Sequence, residues 1–292
     1  MTSIRVRACA KINVTLRVLG IHADGYHELR TTFQSLALHD TLTFTRTRGT
    51  FELTSDAADC PTDPTNLVWK AAHCLWRAVG RPGEPAGVRI HIQKRIPIQA
   101  GLGGGSSDAA AALRALRLLW RAGIGDDDLV AMARGLGADV PYFLEGGTAL
   151  GVERGDLLFP LVDGAAAWVV LARPSFGVST RDAYGWWDEA FMAKGKCVPA
   201  GEGRRGEWRN DLQEPVVARH PEIGALIRRL DRAGARFAAM SGSGSAVFGL
   251  FDTRVRAEQA FRALRTPEVD TWLTRTLGRR AYERASAPMR AD

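Results

Sequence analysis

From residue 11 to residue 18 polar and apolar side chains alternate. Ile12, Val14, Leu16 and Val18 share one face, and Lys11, Asn13, Thr15 and Arg17 share the other. A period of two predicts a half-buried strand with one polar side. Asp24-Gly25 marks a turn, and residues 31–38 and 41–45 predict further strands. Residues 66–79 change to helical spacing, with Leu67, Ala71, Cys74, Leu75 and Ala78 on one side. Residues 88–93 are strand-like and lead to a glycine-rich segment at 101–105. A helix is predicted from about 106 to 122, because Ala109, Ala112, Leu113, Leu116, Leu119 and Trp120 form an apolar stripe. Another helix is predicted over 127–136, with Asp126 as its cap. Strand patterns follow at 148–152, 168–172 and 246–251, and helical ones at 221–233 and 254–264. The Gly/Arg-rich stretch 194–209 reads as a loop or insertion. Strands and helices mix without a regular β-α-β rhythm, which predicts an α+β fold rather than a doubly wound sheet. A weak boundary near 155–165 divides the chain into 1–157 and 158–292.

Composition narrows the class. The 292 residues are 46% apolar and 24% charged, a globular balance with room for one large domain or two ordinary ones. The longest apolar run, 164–172, falls short of the ~18 residues a membrane helix needs and suits a buried strand. Arg5, Arg7 and Lys11 interrupt any apolar leader at the N-terminus. A cytoplasmic protein with no membrane partner is expected. Cys9, Cys60, Cys74 and Cys197 form no C-x-x-C pair, and the six histidines lack ligand spacing, so neither a disulfide framework nor a zinc cage is expected. The net charge of +7 would suit nucleic acid. The basic residues are dispersed, however, and a phosphorylated small molecule gains equally from a positive field. A small-molecule substrate and no nucleic acid are therefore expected, with the protein a monomer or weak homodimer. Only five of the 39 basic residues are lysine, which singles out Lys11 within its strand.

The sharpest local signal is Pro97, Ile98, Gln99, Ala100, Gly101, Leu102, Gly103, Gly104, Gly105, Ser106 and Ser107, running into an alanine-rich helix. Glycines let backbone N–H groups approach phosphate oxygens, a helix start adds unpaired donors, and serine hydroxyls can bond phosphate or complete a magnesium shell. The segment is not a Walker A loop, since no Gly-Lys-Ser/Thr follows. It is a poor dinucleotide fingerprint, because Ser106 replaces the third glycine. No protein-kinase catalytic motif is present. A flexible loop with an ordinary serine cap remains the alternative. Asp139, in Leu136-Gly-Ala-Asp-Val-Pro141, reads on its own as a helix cap with proline in the first turn.

Three segments together are more specific. Ala10-Lys-Ile-Asn-Val14, the 97–107 loop and Met240-Ser-Gly-Ser-Gly-Ser-Ala-Val-Phe-Gly249 resemble, in order, the three motifs of the GHMP kinases. Within that family Asp24-Gly-Tyr-His27, the run of glycines at 101–105 and Leu136–Pro141 resemble the branch acting on a cytidine-diphosphate-linked alcohol of the non-mevalonate isoprenoid route. The resemblance implies a two-domain α+β kinase with its site in the inter-domain cleft, using ATP and Mg2+ to phosphorylate a 2-hydroxyl. It implies Asp139 as general base with Lys11 as its partner, Asn13 on the substrate side, and the 97–107 loop and third motif on the phosphates. Tyr26 and His27 would read the cytosine ring, Tyr184 would form a second wall, and Asn66 would lie near the adenine. Other readings are a family member for homoserine or a mevalonate relative, and a non-catalytic nucleotide sensor. Cys9 stands where the family has proline. Gln99 and Ala100 vary the lead into the loop. Asn210-Asp-Leu-Gln-Glu214 carries an extra residue, which leaves the helix entry near 210 open.

Overall fold

The structure, a computed structural model, describes residues 3–22, 24–193 and 209–291. In chain order the elements are β1 (Ser3–Ile21), β2 (His27–Thr50), β3 (Glu52–Ser55), α1 (Leu67–Ala78), β4 (Ala86–Gln93), α2 (Gly104–Leu119), α3 (Asp126–Leu136), α4 (Tyr142–Glu145), β5 (Thr148–Glu153) and β6 (Leu157–Pro160). The second half adds β7 (Trp168–Pro174), α5 (Thr180–Ala193), α6 (Gln213–Arg219), α7 (Pro221–Arg232), β8 (Phe237–Met240), β9 (Val247–Phe251), α8 (Arg254–Leu264), β10 (Val269–Leu277), α9 (Arg279–Ser286) and β11 (Met289–Ala291). The fold is α+β, as expected. The loop or insertion expected at 194–209 lies, apart from Arg209, outside the described residues.

One connected sheet runs β11-β1-β2-β10-β7-β9-β8, with β4 and β5 also pairing to the long β2. Strand β2 absorbs both strands predicted at 31–38 and 41–45. Where β1 passes Lys11, its register on β2 jumps from Cys9↔His39 to Lys11↔Ser35. On its opposite edge β2 pairs with the end of β10 through Leu36 and Ser35. The irregularity in β1 frees the Lys11 backbone N–H to donate to Leu102 O at 3.0 Å. Bulges of this kind re-aim side chains, and here the re-aimed one is Lys11.

Two helical layers cover the sheet, each following an apolar stripe. In α7 a proline at the first turn starts the helix, and Ile223, Leu226, Ile227 and Leu230 recur at helical spacing on the buried side. With Val170, Trp187 and Val247 they form the core of the second half. In the first half Leu75, Ala112 and Leu116 of α1 and α2 pack on Phe44 and Ile90. Each fully buried Leu or Ile contributes roughly 1.5–3 kcal/mol. A third, smaller cluster positions the site. Ile12, Ala100, Leu102, Ala246 and Phe248 pack together, and they belong to the three motif segments. No helix among the described residues is long and apolar enough to cross a membrane.

Candidate active site

A cleft of about 1450 Å3 is lined by Lys11, Asn13, Tyr26, His27 and Asp139 together with the 97–106 loop and Gly242–Gly244. A single small-molecule site usually occupies ~300–1,000 Å3, so this one has room for two reactants.

At its centre Lys11 Nζ lies 3.1 Å from Asp139 Oδ2. Lys11 also donates to Asn13 Oδ1 at 2.6 Å, and its ammonium stands 5.5 Å from the Phe33 ring centroid. Asn13 donates in turn to Thr31 Oγ1 at 2.7 Å, which donates to Thr15 O at 2.7 Å. The alternating polar face read from the sequence is therefore a buried hydrogen-bonded row rather than a solvated edge. Asp139 is no helix cap: α4 begins beyond it, is flanked by Pro141, and makes no side-chain cap bond. Its turn is pinned by the wholly buried Val140.

The glycine loop locks onto the other two motifs through its backbone. Gly101 has φ +72, and a Cβ there would stand 2.1 Å from Ser241 O. Gly103 has φ +71, and a Cβ there would meet the Phe143 ring at 2.6 Å and Lys11 Cε at 3.1 Å. Ser241 Oγ donates to Gly101 O at 3.0 Å and accepts from Asn13 N at 3.3 Å. Helix α2 starts earlier than predicted, at Gly104, capped by left-handed Gly103 rather than a serine. Pro97, Ile98, Gln99, Ala100, Leu102, Gly104, Gly105 and Ser106 all line the cleft. Ser107 does not: it is buried and donates to Cys9 O at 2.7 Å. Cys9 is itself in the core, where burial pushes its thiol up to about 12.

Beneath the loop lies a cluster the sequence reading missed. Lys94 Nζ contacts Asp40 Oδ2 at 2.5 Å and Asp108 Oδ2 at 2.9 Å, all three nearly sealed from solvent. Asp40 Oδ1 further accepts from the Arg95 and Ile96 N–H groups at 2.5 and 2.8 Å. Burial pushes the Asp108 carboxyl up to about 8, against the pull of the Lys94 charge, and its Oδ1 has no partner. A Cβ on Gly104 would come within 3.3 Å of Lys94 Nζ, so this charge sits directly under the helix start. The scarcity of lysine that singled out Lys11 applied equally to Lys94.

At the other end of the cleft Tyr26 projects, 57% exposed. The Asp24 carboxylate accepts from Tyr26 N at 3.1 Å and pairs with Arg154, whose guanidinium lies 3.9 Å from the Tyr26 ring centroid. His27 Nε2 contacts Asp188 Oδ1 at 2.7 Å. Tyr184 packs against the His27 ring at 4.5 Å. Burial, reinforced by the Asp139 charge, raises the Tyr184 hydroxyl above its ordinary pKa. Helix α5, which carries Tyr184 and Asp188, had not been recognised in the sequence. Its start is tied to the third motif by a 3.1 Å contact between the Thr180 and Ser243 hydroxyls. Asn66 caps α1 by accepting from Val68 N at 2.8 Å and also lines the cleft. The question at residue 210 has an answer: Asn210 is buried and donates to Met240 O and Gly242 O at 2.9 and 2.8 Å, and α6 begins at Gln213.

Residues 66–147 match the family described as "GHMP kinases N terminal domain", and residues 192–269 match "GHMP kinases C terminal". Over 289 residues the chain is 40% identical to a 4-diphosphocytidyl-2-C-methyl-D-erythritol kinase of Moorella thermoacetica, covering 95% of this chain and all of that one. It is 38% identical to the kinase of the same name from Synechocystis, covering 95% of this chain and 98% of the relative. A crystal structure of 4-(cytidine 5'-diphospho)-2C-methyl-D-erythritol kinase superposes with TM-score 0.76 at 35% identity, covering 94% and 99% of the two chains. Homoserine kinase from Cytophaga hutchinsonii superposes with TM-score 0.70 over 99% and 97%, but at 17% identity it shares the fold alone.

Proposed function

The chain belongs to the GHMP kinases and, within them, to the 4-diphosphocytidyl-2-C-methyl-D-erythritol kinases, and from that membership we infer that it transfers the γ-phosphoryl group of ATP to the 2-hydroxyl of that diphosphocytidyl alcohol, in the non-mevalonate route to isoprenoid precursors. The observation that carries the mechanism is the Lys11–Asp139 pair at 3.1 Å in a cleft large enough for both reactants.

Phosphoryl transfer needs little covalent work from a protein. It needs in-line positioning and stabilisation of charge on the phosphoryl oxygens. The glycine loop and the Gly242–Gly244 turn supply backbone donors along one side of the cleft, where the nucleotide phosphates would lie. Asp139 is the general base: as the substrate oxygen bonds to phosphorus and the bond to ADP breaks, its carboxylate takes the hydroxyl proton. Lys11 holds that carboxylate in place and offsets charge on the moving group. Asn13 orients Lys11 and borders the substrate.

No group of three His, Cys, Asp or Glu able to hold a metal exists among the described residues. A magnesium ion delivered on ATP would be held chiefly by phosphate oxygens. The Ser106 hydroxyl is a protein oxygen open to the cleft that would help complete its shell. Such an ion would neutralise charge on the terminal phosphates. Tyr26, with Arg154 covering one ring face, offers the other to the cytosine, and His27 meets the base edge. The protein is proposed to act in the cytoplasm, as a monomer or weak homodimer, with residues 1–157 and 158–292 as its two domains.

The test is an ADP-release assay with the diphosphocytidyl alcohol, homoserine and mevalonate side by side. Turnover confined to the first is expected. Comparable turnover of either other alcohol overturns the substrate assignment.

A further inference from the structure

One helix grips His27 from three sides. Tyr184, Trp187 and Asp188 of α5 stand at i, i+3 and i+4, so all three project from the same face. Tyr184 packs on the imidazole at 4.5 Å and Trp187 meets it edge-on at 5.6 Å, which fixes the plane of the ring. Asp188 Oδ1 stands 2.7 Å from Nε2, and Nδ1 has no protein partner among the described residues. His27 and Asp188 both line the cleft.

A carboxylate can only accept a hydrogen bond, so Nε2 must carry the ring proton. A singly protonated imidazole then presents a bare Nδ1, which is an acceptor. The two common pyrimidines differ at the position such an atom would read. Cytosine carries an amine there, a donor, whereas uracil carries a carbonyl, an acceptor. An acceptor held rigidly at that point bonds the first and opposes the second. Sites built to bond a polar substituent reject the analogue lacking it, because a buried polar atom is left unpaired.

We propose that Asp188 is a positioning residue that sets the preference for cytosine over uracil, by holding the His27 imidazole in the tautomer that leaves Nδ1 as an acceptor toward the base. This deepens the reading of His27 as a cytosine contact and rests on it. Asp188 touches the base only through His27. Neither the alternating pattern of β1 nor any of the three motifs contains it.

The experiment measures inhibition constants for CDP and UDP as competitors of the diphosphocytidyl alcohol, at saturating ATP and at about pH 8, above the ordinary imidazole range. It compares the wild type with Asp188→Asn, Asp188→Glu and His27→Ala. An asparagine can turn its amide toward Nε2 and favour the opposite tautomer. The wild type should bind CDP more tightly than UDP, Asp188→Asn should shrink that ratio roughly tenfold, and Asp188→Glu should restore most of it. Imidazole nitrogen shifts from 15N-histidine NMR should show His27 protonated at Nε2 only, and that pattern should be lost in Asp188→Asn. If His27→Ala collapses the ratio while Asp188→Asn leaves it intact, the role of Asp188 is refuted and the base contact survives. If His27→Ala itself leaves the ratio intact, the base contact and the inference fail together. A proton on Nδ1 in the wild type also overturns the proposal.

Discussion

Lys11 and Asp139, 3.1 Å apart, are unequally exposed: the lysine side chain is 4% accessible and the aspartate 34%. The ammonium is thus fixed inside the protein by Asn13 and the Phe33 ring, while the carboxylate keeps one side turned to the cleft. A buried ion pair is poor evidence of stability, since desolvation offsets much of the attraction. Its value here is geometric. The buried cation fixes an accessible carboxylate where a hydroxyl can approach it.

The loop's contact with the third motif leaves no space for a side chain. Gly101→Ala forces a Cβ to within 2.1 Å of Ser241 O at a φ of +72. Left-handed strain and overpacking together should lower unfolding free energy by roughly 2–5 kcal/mol, read from the urea midpoint. A loss below about 0.5 kcal/mol would mean that the two loops separate easily.

Tyr26→Ala removes the open aromatic face beside Arg154. Base stacking is worth roughly 1–3 kcal/mol, so KM for the diphosphocytidyl alcohol should rise about 5- to 150-fold while KM for ATP is unchanged. An equal rise in both constants would contradict a base-stacking role.

The buried Asp108 makes stability depend on pH. Its carboxyl titrates near 3.8 when unfolded and at about 8 when folded. Between those values the folded chain holds a proton that the unfolded chain has released, so stability falls as pH rises through that range. Asp108→Asn has no such proton to lose. Its Tm should therefore decline less than the wild type's between about pH 5 and pH 8.5. Parallel Tm profiles would show that Asp108 is ionised in the folded protein.

Periodicity carried much of this fold. Helices α7 and α8 fall within a residue of their predicted ends, because proline or a threonine cap starts them and apolar stripes fill them. Helix α5 escaped because Tyr184 and Asp188 serve the cleft, so its pattern is not that of a plain core helix. Strand β10 escaped because Asp270, Trp272 and Thr274, which share one of its faces, mix charged, aromatic and polar side chains and leave no clean alternation. In the site, Lys11 and Asp139 were found through motif resemblance, because 127 residues of intervening chain hide their contact. The Lys94–Asp40–Asp108 cluster lies between motifs: Lys94-Arg95 reads as a surface basic pair until the fold buries one of them.

The most direct test of the account is Asp139→Asn, assayed by ADP release with the diphosphocytidyl alcohol. Removing the base should lower kcat by about 10²–10⁴-fold and leave ATP affinity within about twofold, since the amide keeps the shape of the site. A kcat within a few-fold of the wild type's would contradict the assignment of proton transfer to Asp139.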